Sequence, residues 1–311
     1  MNDKDTDTDN DNEYKVKLIV AICKGGGIGI NNKIPWKISD DLKYFSKLTS
    51  GDYGKYMVDT KKYISTGKSA AKICKDDLNI QKNVIIMGKN TWLSLPKYPK
   101  PLPYRDSIIM STTIPESKGI LDDKECDYDI NIHFSSISRA IRFCSSRRDN
   151  TLKDGLITSE LCRDEEHVKC NEREIMINSG SKKYNDIWII GGAKVYENII
   201  NMNTNVNTKI IIDEFYITYI DKEYKCDTFF PLIENMNLYC LNSIDAKVCK
   251  CEDDDGISDV NVYYLVLKRL NTNEIKTENV MLNINPAIAT DDNIELIKRL
   301  KILKIGIRFT P

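Results

Sequence analysis

The residues best suited to chemistry fall in one stretch, Lys17 to Leu48 (KLIVAICKGGGIGINNKIPWKISDDLKYFSKL). Asp41 stands there among apolar neighbours. At helical spacing it shares a side with Leu42 and Phe45, and Leu48 lies one i+3 step beyond Phe45. A buried carboxylate is costly unless a cationic or donor-rich partner meets it. Asp41 therefore reads either as an acid that grips such a partner or, more plainly, as a first-turn acid stabilised by the helix dipole. A tryptophan, Trp36, and a polar glycine-rich loop, Lys24 to Lys33, precede it.

These residues need positioning elements. Leu18 to Ile22 is a short β-branched apolar run, the pattern of a strand buried on both faces. Ser39 reads as an N-cap with Asp40 and Asp41 in the first helical turn. Further along, Asn83–Met87 is a second buried-type strand ending at Gly88, with a short helix starting at Lys89. Ser107–Met110 is a third strand after a proline-rich loop (96–103) and Arg105, and 130–134 is a fourth, before a short helix over Ser138–Cys144. Ile187–Ile190 runs into Gly191 and Gly192, where a helix opens at Ala193. Phe215–Ile220 alternates like a strand, Asp227–Pro231 forms a compact turn or strand end, and Val262–Leu267 closes the sheet. Strands alternating with short helices predict one α/β domain with a largely parallel sheet.

Residues 1–14 read as a disordered acidic tail, residues 49–82 and 145–184 as polar insertions without sustained periodicity, and 271–311 as a linker or tail with an amphipathic helix over Ile294–Leu300. A formal net charge of −1 over 311 residues gives no reason to expect a nucleic-acid surface. No run is long enough for a membrane helix, and the N-terminus has neither secretory nor transit character. Ten scattered cysteines in a chain of this size predict reduced thiols and a cytoplasmic setting.

Three patterns imitate other chemistry. Gly25 to Gly29 suggests a dinucleotide fingerprint, but its third glycine would fall at Ile30 and no acid closes a neighbouring strand. Gly67, Lys68 and Ser69 resemble the end of a phosphate-binding loop whose first glycine would fall at Lys62. Cys162, His167 and Cys170 lack a fourth ligand, so no metal site is expected.

Several stretches taken together resemble the dihydrofolate reductase family. They are Ile28-Gly29 through Ile34, Pro35 and Trp36 to Asp41 and Phe45; Met87 to Trp92; Leu102 to Arg105; Ile190, Gly191 and Gly192 through Val195 and Tyr196; Phe215 to Thr218; and Asp227 to Pro231. They follow the family's order and span roughly Val16 to Arg269, within a reductase domain expected over 15–270. The resemblance implies the family's fold, a mostly parallel mixed sheet of about eight strands flanked by helices. The long insertions and Asn/Lys/Asp-rich tails look like protozoan versions, in which the reductase is often fused to a thymidylate synthase. The Pro-Cys-His nucleophile segment of a synthase is not in this sequence, so synthase activity is not expected from it.

By that resemblance the reaction carries hydride from NADPH to C6 of dihydrofolate, with water-mediated protonation at N5, feeding one-carbon and thymidylate metabolism. Asp41 would grip the pterin edge with a raised pKa in the free enzyme, Thr218 would hold Asp41 through its hydroxyl, and Trp36 would order a water. Leu42 and Phe45 would sandwich the substrate rings, with Ile34 on the nicotinamide side and Ile190 also lining the substrate site. Leu95 and Leu102 would line the tail of the cleft, and Arg105 would take the glutamate α-carboxylate bidentately. For the cofactor, Gly191 and Gly192 would let the backbone approach the pyrophosphate, in the family through a cis bond. Thr91 would head a second cofactor helix, flanked by Gly88 and Asn90. Lys89, Ser111, Thr112 and Lys194 would contact the ribose 2′-phosphate and its neighbours. Ala21, Ile28 and Gly29 would meet the nicotinamide amide, Tyr196 would flank its ring, and Val195 completes the set.

The Lys24–Lys33 loop would close as a lid, and its three consecutive glycines predict unusual mobility. Expected ligands are thus dihydrofolate, antifolates and NADPH, with a thymidylate synthase domain as the protein partner. Two alternatives stand beside this reading. A pyrimidine reductase of riboflavin synthesis would need neither Asp41 nor Arg105, and a non-catalytic reductase-like arm of a fused synthase would not need the full pocket.

Overall fold

The computed structural model describes residues 13–65, 81–95, 102–113, 131–149, 184–204, 209–231, 233, 238–270 and 283–284. In chain order these give β1 (Tyr14–Lys24), β2 (Gly27–Gly29), β3 (Lys37–Ile38), α1 (Ser39–Ser65), β4 (Asn83–Gly88), α2 (Lys89–Leu93), β5 (Arg105–Met110), β6 (Asn131–Phe134) and α3 (Ile137–Asp149). Then come β7 (Ile187–Gly191), α4 (Ala193–Thr204), β8 (Ile210–Glu223), β9 (Thr228–Phe229), β10 (Tyr239–Asp253), β11 (Gly256–Arg269) and β12 (Asn283–Ile284).

Apolar β-branched runs build the middle of a ten-stranded sheet, ordered β12-β10-β11-β8-β1-β7-β4-β5-β6 with β3 against β10. From β8 to β6 every pairing is parallel. β11 and β10 add an antiparallel hairpin on the other side. This is the mixed, mostly parallel α/β sheet expected, with eight longer strands joined by the two-residue β3 and β12. Near the outer side, β10 carries only scattered buried residues (Tyr239, Leu241, Cys249, Cys251) among polar ones.

Side-chain alternation splits the core in two. On one face Leu18, Val20, Val84, Ile86 and Ile189 pack under Ile137 and Ile141 of α3 and Ile199 of α4. On the other, Ile19, Ile85, Met87, Ile109 and Trp188 meet Phe45 and Leu48 of α1. That second face carries the candidate site.

Residues 49–65, read as part of an insertion, are a continuation of α1. The helix breaks its regular geometry at Gly51 (φ 57°). The Asn83 amide caps the break, donating to the carbonyls of Thr49 (3.0 Å) and Leu48 (3.4 Å). A Cβ on Gly51 would lie 2.8 Å from that amide nitrogen, so the kink requires glycine.

The glycine loop is paired with a distant segment of the chain. β2 pairs with β9, the Phe230 amide donates to Gly26 O (2.9 Å), and the Asn31 amide donates to the Asp227 carboxylate (2.8 Å). The loop is hydrogen-bonded along its length, and Gly27 serves close approach: a Cβ there would be 2.4 Å from Cys226 Sγ. The expected helix over Ile294–Leu300, the Gly67–Ser69 pattern and Cys162, His167 and Cys170 lie outside the described residues. Among the described residues no helix is long and apolar enough to cross a membrane.

Candidate active site

Strand β8 places Thr218 beside Ala21 of β1 and opposite Tyr264 of β11. The first turn of α1 lies over this point, where the Thr218 hydroxyl donates to the Asp41 carboxylate. The Asp41 residue is half-buried, but its carboxyl is largely desolvated, and burial raises its pKa to about 6 against the pull of the Thr218 hydrogen bond. Asp40, one residue earlier, has the opposite environment. Hydrogen bonds from Lys247 (2.9 Å between charged atoms) and Lys43 hold its carboxyl below the usual range. No lysine or arginine among the described residues pairs with Asp41.

Three residues not singled out from sequence complete this corner. Tyr44, at i+3 from Asp41, stacks on Tyr264 with ring centroids 4.5 Å apart. Burial, and then the Asp41 charge, pushes the Tyr44 phenol up to about 12. Cys249, buried on β10, shares a hydrogen bond with Tyr264 and feels the charges of Asp40 and Asp41, its thiol held up chiefly by burial. The i+3 step from Asp41 was the one sequence signal for Tyr44; β10 and β11 supply the other two by tertiary pairing. Trp36 is buried against Tyr224, with centroids 5.2 Å apart, in the same apolar cluster as Ala21 and Tyr44.

On the open side Leu42 is 54% exposed and Ile34 59%, values that rule both out as core. Large apolar side chains left open beside a desolvated acid are a surface for a flat ligand with an apolar face and a donor edge. The cleft continues over Phe45, Leu95, Leu102 and Ile190, all half-buried against the Trp188–Met87 cluster. At its far end Arg105 is 3% exposed, with its guanidinium 5.7 Å from the centre of the Phe45 ring. Arg105 Nε donates to Pro103 O (2.9 Å), and its terminal nitrogens reach the hydroxyls of Thr49 and Ser46. Two hydroxyls from α1 thus hold its planar fork in place.

The predicted cofactor residues gather at the carboxyl ends of β4 and β7. Gly191–Gly192 is a cis peptide. A Cβ on Gly191 would come within 2.9 Å of the Tyr196 ring, and one on Gly192 within 3.1 Å of Thr91 Oγ1. A Cβ on Gly88 would lie 3.4 Å from Val195 Cγ2. The three glycines bring the starts of α2 and α4 together, leaving backbone where side chains would stand. Thr91 is the third residue of α2 and does not head it. Lys89 Nζ donates to Thr113 Oγ1 (2.8 Å), whose backbone amide donates to Ser111 Oγ (3.2 Å). Thr112 and Lys194 are exposed nearby. Asn90 reaches Asn32 of the glycine loop at 3.4 Å. Ile28 packs half-buried on the main core, and the Gly29 carbonyl accepts from the Asp227 amide (3.1 Å). Tyr196 is buried, its hydroxyl donating to Ile19 O (2.8 Å) beneath Gly191, so its phenol is committed to the scaffold.

A sequence profile of the dihydrofolate reductase family matches residues 15–68 and 156–258. The chain is 28% identical over 216 residues to a dihydrofolate reductase of Drosophila melanogaster, covering 70% of this chain and 79% of that one. It is 24% identical over 240 residues to a dihydrofolate reductase of Gallus gallus (77% and 89% covered). It is also 28% identical over 270 residues to a bifunctional dihydrofolate reductase-thymidylate synthase of Plasmodium berghei, covering 83% of this chain but 38% of that one.

Proposed function

Since the chain belongs to the dihydrofolate reductase family, we propose that it reduces 7,8-dihydrofolate to 5,6,7,8-tetrahydrofolate with NADPH. The observation that carries this reading is Asp41: a desolvated carboxylate with a pKa near 6, steadied by Thr218, lacking a cationic partner among the described residues and followed on the helix by the open Leu42. Such an acid is matched by a pterin, which offers two donors on one edge and an apolar ring face.

The residues present fit the cofactor. Side chains at Gly88, Gly191 and Gly192 would fill the cradle, and their absence leaves backbone at the start of α4, where a pyrophosphate is favoured. Lys89, Ser111, Thr112 and Lys194 hold the 2′-phosphate side, and Ala21, Ile28 and Gly29 the amide side. NADPH, when bound, supplies the hydride for C6. Asp41 binds the pterin edge and favours its protonated form, so the proton for N5 arrives through water and Asp41 acts by electrostatics. Phe45 and Leu42 hold the rings, and Arg105 takes the α-carboxylate of the glutamate tail. The Lys24–Lys33 loop closes over the reacting atoms and excludes water.

We assign the chain to the protozoan, synthase-fused type. The reductase domain then spans 15–270, and the setting is cytoplasmic. What supports this is the match to the Plasmodium berghei protein over most of this chain.

The test is NADPH consumption by the purified chain, followed by absorbance with and without dihydrofolate. Consumption that requires dihydrofolate and stops with methotrexate is the expected result. NADPH binding without turnover would overturn the reading.

A further inference from the structure

Cys23 and Cys226 lie 203 positions apart in sequence, yet their sulfurs are 3.8 Å apart. Both sit at the root of the glycine loop. Cys23 is the penultimate residue of β1, and Cys226 immediately precedes Asp227, whose carboxylate accepts from the Asn31 amide and whose own amide donates to Gly29 O. Gly27 covers the pair: a Cβ there would clash with Cys226 Sγ at 2.4 Å and reach Cys23 Sγ at 3.0 Å. Burial keeps the Cys23 thiol protonated, with a pKa near 11, but the backbone amides of Tyr224 and Gly27 point at its sulfur. Cys23 is 1% exposed, whereas Cys226 is half-buried.

We propose that Cys23 and Cys226 form a reversible disulfide that fastens the root of the glycine loop to the β9 segment and slows the loop's opening. The co-reactant is a low-molecular-weight disulfide such as oxidised glutathione. The Cys226 thiolate attacks one of its sulfurs, forms a mixed disulfide and releases one thiol. Cys23, losing its proton to solvent, then attacks Cys226 Sγ and expels the second thiol. Two protein thiols are oxidised, and one external disulfide is reduced to two thiols. Closing the bond draws the sulfurs from 3.8 Å to about 2.0 Å. The effect on turnover rests on the reductase reading, because loop opening gates cofactor exchange; formation of the bond does not.

The full chain is incubated with oxidised glutathione and digested without reduction, and the linked peptides are identified by mass. Amide hydrogen exchange over residues 25–30 and NADPH turnover are read before and after dithiothreitol. The expected result is a Cys23–Cys226 link, slower exchange in the loop, and a loss of turnover that dithiothreitol restores. Cys226→Ser should show neither the link nor the sensitivity. A link to Cys251, which lies beneath Tyr224, or glutathione left on Cys226 without transfer to Cys23, would overturn the proposal. So would a correct link with unchanged loop exchange. If the chain does not turn over dihydrofolate at all, the reductase reading fails, while the link and the exchange still decide this proposal.

Discussion

Replacing Asp41 with Asn separates binding from folding. Asn keeps the shape and an acceptor for Thr218 but cannot ionise. Raising an acid from 3.8 to about 6, at about 1.4 kcal/mol per pH unit, means that the charged form costs the free protein about 3 kcal/mol. Below pH 4 both folded and unfolded chains hold the proton and nothing is lost. Between about 4 and 6 the unfolded chain ionises first, so stability falls as pH rises through that window and is flat above it. Asp41→Asn should therefore match the wild type near pH 4 and exceed it by up to about 3 kcal/mol at pH 8. Urea denaturation at several pH values reads this directly. Activity should move the other way. Losing the charged member of a desolvated pair costs roughly 2–5 kcal/mol, about thirty- to several-thousand-fold in kcat/KM for dihydrofolate, with NADPH affinity nearly unchanged. A variant less stable than wild type at pH 8, or one that loses both ligands equally, would show that Asp41 supports the fold and not the pterin.

Thr218→Val removes the hydroxyl that lowers the Asp41 pKa. The apparent pKa in the kcat/KM profile should rise above about 6, and kcat/KM should fall about tenfold, as for loss of a hydrogen bond to a charged group; an unmoved profile would contradict the contact's role. Arg105→Leu should weaken dihydrofolate far more than a pterin lacking the glutamate tail, and equal weakening in a binding titration would remove the carboxylate role. Gly192→Ala puts a methyl 3.1 Å from Thr91 Oγ1. NADPH affinity, read by fluorescence quenching, should drop while dihydrofolate binding holds. Gly27→Ala places a methyl against Cys226 and should lower both Tm and turnover, with the loop forced off β9; an unchanged Tm would refute that packing.

The central strands were legible because β1, β4 and β7 are buried on both faces and so carry continuous apolar runs rich in Val and Ile. Asp41, Thr218 and Arg105 were legible only in combination, since each alone reads as a first-turn acid, a strand threonine or a surface arginine. Strand β10 was not read. At the sheet's outer side, its Lys247 and Glu252 face solvent or ion pairs, so its period of two is blurred. The far half of α1 was hidden by Gly51, whose break shifts the helical phase, and by Thr49 and Ser50, whose hydroxyls bond back to Phe45 and Ser46 carbonyls at 2.7 Å. The role of Gly27 was not legible, because nothing local reveals that Cys226 must fit beneath it.

The short strand β3 has a consequence for synthesis. Lys37 and Ile38 pair with Glu252 and Cys251, and the Lys37–Glu252 ion pair joins positions 215 apart. The helix carrying Asp41 begins at the next residue, so part of its anchorage is made of chain translated 215 positions later. At about 5–20 residues per second, that helix leaves the ribosome roughly ten to forty seconds before the strand that seats it exists. Tyr44 waits through that interval without Tyr264, the ring it packs against in the folded sheet.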